Sequence, residues 1–166
     1  DRFGNRTVSR TYTNAADKTT VKVTDTPDSD KDAITVTVNG RRELSISAQT
    51  HATHYGYDAL ERRKMTTDPR ISSYSNGEWQ NTNITHYNSK GQVDYREDTA
   101  GNRTTFAYYA DSGRRKWKEN PLGNKTYFAY NDRGKVIRKW GDTPYPVEQV
   151  YDEHGRRVTL KTYRDG

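Results

Sequence analysis

The chain has 166 residues, with 28 Lys and Arg against 22 Asp and Glu, a net charge of +6 and an apolar content of only 30% even with Tyr counted. Leu, Ile, Val and Phe number 22, about 13% of the chain and below the roughly 20% under which highly charged chains stay disordered. That excludes a compact globule around one core, while 22 Thr, 13 Tyr and 3 Trp at so modest a net charge favour a pleated, half-buried surface over disorder. With no Cys there is no disulfide, thiol nucleophile or thiolate metal site. No apolar run approaches the roughly 18 residues of a membrane-spanning helix. The first residues have no basic-then-apolar plan of a signal peptide.

In chain order, Asp1-Arg2-Phe3-Gly4-Asn5-Arg6 is a turn signal that recurs later, so the chain reads as beginning in mid-repeat. Val21-Lys22-Val23-Thr24 and Ile34-Thr35-Val36-Thr37-Val38 alternate with period two, the pattern of half-buried strands. Residues 25–32 between them carry no apolar side chain and read as an exposed loop. Asn39-Gly40 then separates the second strand from Leu44-Ser45-Ile46-Ser47, a strong hairpin signal. Residues 1–50 are thus an irregular β-hairpin region.

Residues 51–166 repeat with a tight period. Tyr87, Tyr108, Tyr130 and Tyr151 recur every 21–22 residues, as do Gly91, Gly113, Gly134 and Gly155. Gly101-Asn102-Arg103-Thr104-Thr105-Phe106-Ala107-Tyr108 lies directly over Gly123-Asn124-Lys125-Thr126-Tyr127-Phe128-Ala129-Tyr130. Each period holds two turn signals. Tyr130-Asn131-Asp132-Arg133-Gly134-Lys135 represents the first, and Asn120-Pro121-Leu122-Gly123-Asn124-Lys125 the second. Asn or Asp starts such a turn by bonding its own backbone, and glycine accepts the positive φ at its end. The structural turn positions are therefore Gly4, Gly91, Gly101, Gly113, Gly123, Gly134 and Gly155. Tyr57-Asp58-Ala59-Leu60-Glu61-Arg62 copies the first turn with Glu61 in the glycine place, so that bend either differs in geometry or stores strain.

Turns every 10–11 residues leave about seven residues, roughly 23 Å, per strand. The predicted fold is all-β: a meander of stacked antiparallel β-hairpins forming a curved repeat sheet, one hairpin per 21–22 residues. A lone hairpin cannot bury a face, but neighbours in a row can. Phe106 with Phe128, and Tyr108 with Tyr130, hold equal places in adjacent repeats and are the expected aromatic ladders. Open sheet edges are pairing liabilities, so the segment is expected to be stable only within a larger chain, with both ends read as cuts.

The Tyr-Asp and Tyr-Asn turns at Tyr57, Tyr87, Tyr130 and Tyr151, followed by Gly-Arg or Gly-Lys, resemble the YD repeat of the RHS family, and Asn120-Pro121-Leu122-Gly123 resembles its Asp-Pro-x-Gly element. The resemblance covers 51–166 tightly and 1–50 loosely. It implies a slice of a long spiralling sheet that closes into a hollow β-shell. In bacterial RHS and insecticidal toxin-complex proteins such shells enclose a toxic C-terminal cargo, and in teneurins a related shell serves adhesion. The function implied is a non-enzymatic wall segment of a large secreted or surface protein, enclosing and delivering a toxic cargo. The alternative is a cell-surface adhesin or carbohydrate-binding repeat module. The implied partners are the rest of the same shell and its cargo.

Candidate chemistry is sparse. Arg62-Arg63-Lys64, Arg114-Arg115-Lys116 and Arg156-Arg157 could neutralise phosphates, but each follows a first turn, where it is expected to pair across strands with Asp and Glu. Nucleic acid is accordingly a disfavoured partner. His51 and His54, three apart on a strand, point to opposite faces and make a poor metal pair. Asp58, Asp98 and Asp152 recur with the turns, which marks turn chemistry rather than acid–base catalysis. No catalytic residue, cofactor or metal site is expected, and the RHS family's self-cleaving protease motif is absent from these residues. Tyr74, Trp79, Trp117, Tyr127 and Trp140 are the candidates for stacking on a glycan or other surface ligand. The sequons at Asn5, Asn83, Asn102 and Asn124 arise mostly from the turn motif itself.

Overall fold

The computed structural model describes residues 9–24, 33–47 and 51–164. The expected loop at 25–32 and the turn around Gly4 lie outside them. Sixteen strands and no helix are present among the described residues. The chain divides into two compact units, 1–85 with 97–101, and 86–96 with 102–166. This division by compactness differs from the change in repeat regularity near residue 50.

The first unit holds β1 (Ser9–Asn14), β2 (Thr19–Thr24), β3 (Ala33–Val38), β4 (Arg41–Ile46), β5 (Ala52–Tyr57), β6 (Arg63–Thr67) and the start of β9 (Thr82–Tyr87), hydrogen-bonded in that order. β7 (Ser73–Ser75) and β8 (Glu78–Gln80) form a separate hairpin inserted between β6 and β9. The second unit runs in chain order from the end of β9 through β10 (Val93–Glu97), β11 (Arg103–Tyr108), β12 (Arg115–Glu119), β13 (Lys125–Tyr130), β14 (Val136–Gly141), β15 (Val147–Tyr151) and β16 (Arg157–Thr162). The pairings from β1 to β6, of β6 with β9 and from β11 to β16 are all antiparallel. The fold is an all-β antiparallel meander, as the turn spacing predicts.

Strands of the main sheet are five or six residues long rather than seven, and the first turns that follow Tyr57, Tyr108, Tyr130 and Tyr151 consume an extra residue in a bulge. At Asp152 the backbone N–H of Gly155 donates to the Asp152 carbonyl and that of Asp152 to the Arg156 carbonyl. This is a type I turn closed by a residue in the left-handed region, a standard three-residue hairpin loop. Past it the register slips: Tyr151 pairs with Arg157 but Val150 with Thr159, leaving Val158 unmatched. The same slip falls beside Tyr57, Tyr108 and Tyr130. Bulges add local twist, so a repeated bulge builds curvature into the repeat.

Glu61 adopts the glycine geometry. Its φ is 63°, and its N–H donates to the Asp58 carbonyl at 3.0 Å, as glycine does in the sister turns. Of the two alternatives left open by the sequence, strain is the one realised.

The lateral ladders differ from the expected ones. Phe106 faces Lys118 and Phe128 faces Lys139, because β12 lies between β11 and β13. Phe106 and Phe128, like Tyr108 and Tyr130, are therefore two strands apart, about 9.6 Å between backbones, with β12 standing between them. Aromatic contact instead crosses between non-equivalent positions: Trp117 opposite Tyr127, and Tyr127 opposite Trp140.

No hydrophobic residue is fully buried among the described residues; the buried polar residues are Thr67, Thr82 and Thr126. Each unit is held together sideways, strand against strand.

Gly134 has φ 79°, and a Cβ there would sit 2.9 Å from Arg114 Nη2. Gly134→Val is expected to lower the thermal midpoint by several degrees, and Lys135→Ala by less than about one degree, in circular-dichroism melts. Equal midpoints would contradict the turn. Removing a side chain from the left-handed region relieves roughly 1 kcal/mol, of which glycine's unfolded-state entropy returns part. Glu61→Gly is therefore expected to raise the urea midpoint slightly, despite loss of the exposed 3.6 Å pair with Arg41.

Candidate functional site

Two periodic arrays and two grooves carry the polar and aromatic chemistry of the fold. The first array is the row of first turns. Asp58 Oδ1 accepts from the N–H groups of Leu60 and Arg62, Asn88 Oδ1 from Lys90 and Gln92, and Asp152 Oδ1 from His154 and Arg156. Arg62 and Arg156 each donate Nε to the remaining carboxylate oxygen at 2.7 Å. In two of the three basic clusters the leading arginine thus clamps the aspartate of its own turn, four residues back, rather than pairing across strands, while Arg114, leading the third, lies 5.9 Å from the Tyr130 ring centre. Those contacts lower the Asp58 pKa, chiefly through the Arg62 side chain, and the Asp152 pKa, chiefly through the Arg156 backbone N–H.

Side chains lace one turn to the next. Gln92 Nε2 donates to the Gly113 carbonyl at 2.9 Å, Arg133 Nη1 to the Glu153 carbonyl, and Arg41 pairs with Glu61. The repeat tyrosines tether each hairpin to the preceding strand. The hydroxyl of Tyr57 donates to the Arg42 carbonyl, that of Tyr108 to Val93 and that of Tyr151 to Val136, always 15 residues back on the neighbouring strand. Tyr130 departs from this rule. Its ring meets Tyr109 edge-on at 6.4 Å, and burial raises its phenol pKa.

The second array lies on one face of β12–β14. Tyr127 stacks on Trp140 at 5.6 Å and 20°, with Trp117 opposite Tyr127 on the other side. Lys125 Nζ lies 4.8 Å from the Trp117 ring centre and Arg138 5.2 Å from that of Trp140. Each cation also has a carboxylate: Glu119 with Lys125 at 3.5 Å and Glu148 with Arg138 at 3.4 Å. A groove of about 560 Å³ follows where β14 and β15 part, lined by Trp140, Asp142, Pro146, Glu148 and Tyr163 among others. The Tyr163 hydroxyl donates to Glu148 Oε2 at 3.0 Å, and this bond raises its pKa.

Of the five predicted stacking aromatics, Trp117, Tyr127 and Trp140 come together in this row. Tyr74 and Trp79 sit apart on the inserted hairpin, where Trp79 packs against His54 at 4.4 Å and Tyr74 edge-on against Trp79 at 5.3 Å. Tyr74 remains 63% exposed. His86 and Tyr95, stacked at 4.8 Å with Arg103 4.0 Å from the Tyr95 ring centre, form an aromatic site that sequence reasoning missed. Only the cross-strand register could have revealed it. No group of three or more His, Cys, Asp or Glu suited to a metal occurs among the described residues.

No protein-family profile and no curated protein matches the chain. Solved structures of TcdB2-TccC3 do match in fold. The complex TcdB2-TccC3-Cdc42 superimposes with a TM-score of 0.62 at 14% identity over 93% of this chain. TcdB2-TccC3, and TcdB2-TccC3 without its hypervariable C-terminal region, give 0.60 and 0.61 at 14% identity over 86%. The fold is RHS-like. The chain spans 8% of each of those chains, so the likeness extends to architecture and no further.

Asp58 and Asp152 have lowered pKa values in the folded state, so their contribution is present above the ordinary carboxylate range and is lost as pH falls through the folded values. The double variant Asp58→Asn/Asp152→Asn keeps the turn acceptor, as Asn88 and Asn131 do in the sister turns. Its stability at pH 7 is expected to be lower than that of the parent protein, and its loss between pH 5 and pH 2 shallower, in urea titrations. Parallel pH curves would contradict the clamp.

Proposed function

We propose that this chain is a wall segment of an RHS-type β-shell whose role is mechanical enclosure rather than catalysis. The observation that carries the reading is the convergence of the YD-like turn period with a fold likeness to TcdB2-TccC3 over 93% of the chain. The absence of a buried hydrophobic residue among the described residues supports it, since a wall with solvent or lumen on each face needs only lateral cohesion.

In this reading the segment belongs to a longer secreted or surface chain. Successive hairpins extend the sheet until it closes on itself, and the compartment keeps a toxic C-terminal cargo from the surroundings until delivery. The mechanism is steric and kinetic. The laced first turns and tyrosine tethers hold each hairpin on its predecessor, so that opening requires a run of lateral contacts to fail together. Partners are then the rest of the wall and the enclosed cargo.

The test is electron microscopy and limited proteolysis of the full-length parent. The expected result is a hollow closed particle whose C-terminal segment resists protease until the wall is breached. An open sheet, or a C-terminal segment cleaved as fast as it is when expressed alone, would contradict enclosure and leave a display role in adhesion.

A further inference from the structure

Charge is divided unevenly along the chain. The unit of residues 86–96 and 102–166 carries 16 Lys and Arg against 9 Asp and Glu, a net +7, while the remainder carries 12 against 13, a net −1. Register assigns that excess to a face. Thr105, Ala107, Trp117, Glu119, Lys125, Tyr127, Arg138, Glu148 and Lys161 share the aromatic face, where Lys125 and Arg138 have carboxylate partners. The paired positions of the opposite face hold Arg115, Lys118, Lys139 and Arg157 and no carboxylate.

On that second face the arginines are engaged. Arg115 lies 4.7 Å from the Phe106 ring centre, and Arg157 donates to Gln149 Oε1. Lys118 and Lys139 have no ion-pair partner among the described residues, and both line a groove of about 290 Å³ together with Thr104, Asn124, Thr126 and Asp142. Asp142, the single carboxylate there, accepts the Lys125 backbone N–H through Oδ2. Thr126 is 6% exposed at the floor.

We infer that this groove is an anion-binding site for an extended, carboxylate-bearing polypeptide. Lys118 and Lys139 lie two strands apart laterally and two residues apart along the strands, about 12 Å between backbones. Side chains at positions i and i+4 of an extended peptide point the same way and lie about 13 Å apart, so two acidic residues at that spacing meet both lysines. Lysine offers a point charge that a carboxylate satisfies, whereas phosphate recognition favours the arginine fork. Base stacking would need open rings. Here no aromatic side chain lines the groove. The inference holds whether or not the wall encloses a cargo.

The test uses the 166-residue chain and a fluorescein-labelled peptide of alternating Glu and Thr, about twelve residues long, in fluorescence anisotropy at low salt. Gln-Thr peptide and oligothymidylate of matched length are the comparisons. The peptide is expected to bind, to weaken steeply with added salt, and to lose about tenfold in affinity in Lys118→Gln/Lys139→Gln. Lys161→Gln, on the aromatic face, is expected to lose less than twofold. The charge-preserving Lys118→Arg/Lys139→Arg should retain binding, which separates lost charge from lost fold. No binding by the unmodified chain, equal losses at Lys161, or failure of the arginine variant with intact melting would overturn the site. Tighter binding of oligothymidylate with the same lysine dependence would overturn the polypeptide assignment.

Discussion

Strands in this fold are stabilised mainly by their sideways neighbours, with the inserted hairpin of β7 and β8 adding a contact across, Trp79 against His54. The strands touch their lateral partners, and no hydrophobic residue is fully buried among the described residues. The usual large apolar term is therefore small, and stability has to come from many local contacts of modest size. Cross-strand pairs contribute roughly 0.2–1 kcal/mol each, and exposed cation–π contacts about 0.5–1 kcal/mol. The composition follows from that constraint: threonine and tyrosine for pleated surface, arginine and lysine to lie over rings, few leucines.

Under such a constraint the turn becomes the most specified part of the repeat. A chain without a core has little else to set its register, and the turns at Asp58 and Asp152 are over-determined by an Asx acceptor, a left-handed residue, a bulge and a tyrosine tether. Asp58 with Arg62 and Asp152 with Arg156 add a charged clamp to that set. Links from Gln92 to Gly113 and from Arg133 to Glu153 then join turn to turn. A device repeated at this interval transmits position from hairpin to hairpin. The uneven charge fits the same picture. One face neutralises its cations with carboxylates and rings, while the other keeps two lysines unpaired in a groove.

The turns were legible because their chemistry is local. Asn131, Gly134 and their equivalents announce a bend within five residues, and the spacing of the bends carried the meander with it. Lateral neighbours were not legible, because they depend on register rather than on sequence distance. Equal positions in successive copies suggested Phe106 against Phe128, yet the returning strand of each hairpin stands between them and places Tyr127 against Trp140 instead. The His86–Tyr95–Arg103 stack and the tyrosine tethers escaped for the same reason, since the tether's acceptor is a backbone carbonyl that no side-chain pattern marks. The hairpin of β7 and β8 follows Asp68-Pro69, ahead of the regular repeats. Its Asn76-Gly77 bend is a hairpin signal that the tight period of the later repeats overshadowed.

The most direct test of lateral cohesion is the set of inter-residue nuclear Overhauser effects in the isotopically labelled chain. The account predicts contacts from the Tyr127 ring to both Trp117 and Trp140, and none between the rings of Phe106 and Phe128. Direct Phe106–Phe128 contacts, or a Tyr127 ring without either tryptophan, would contradict it.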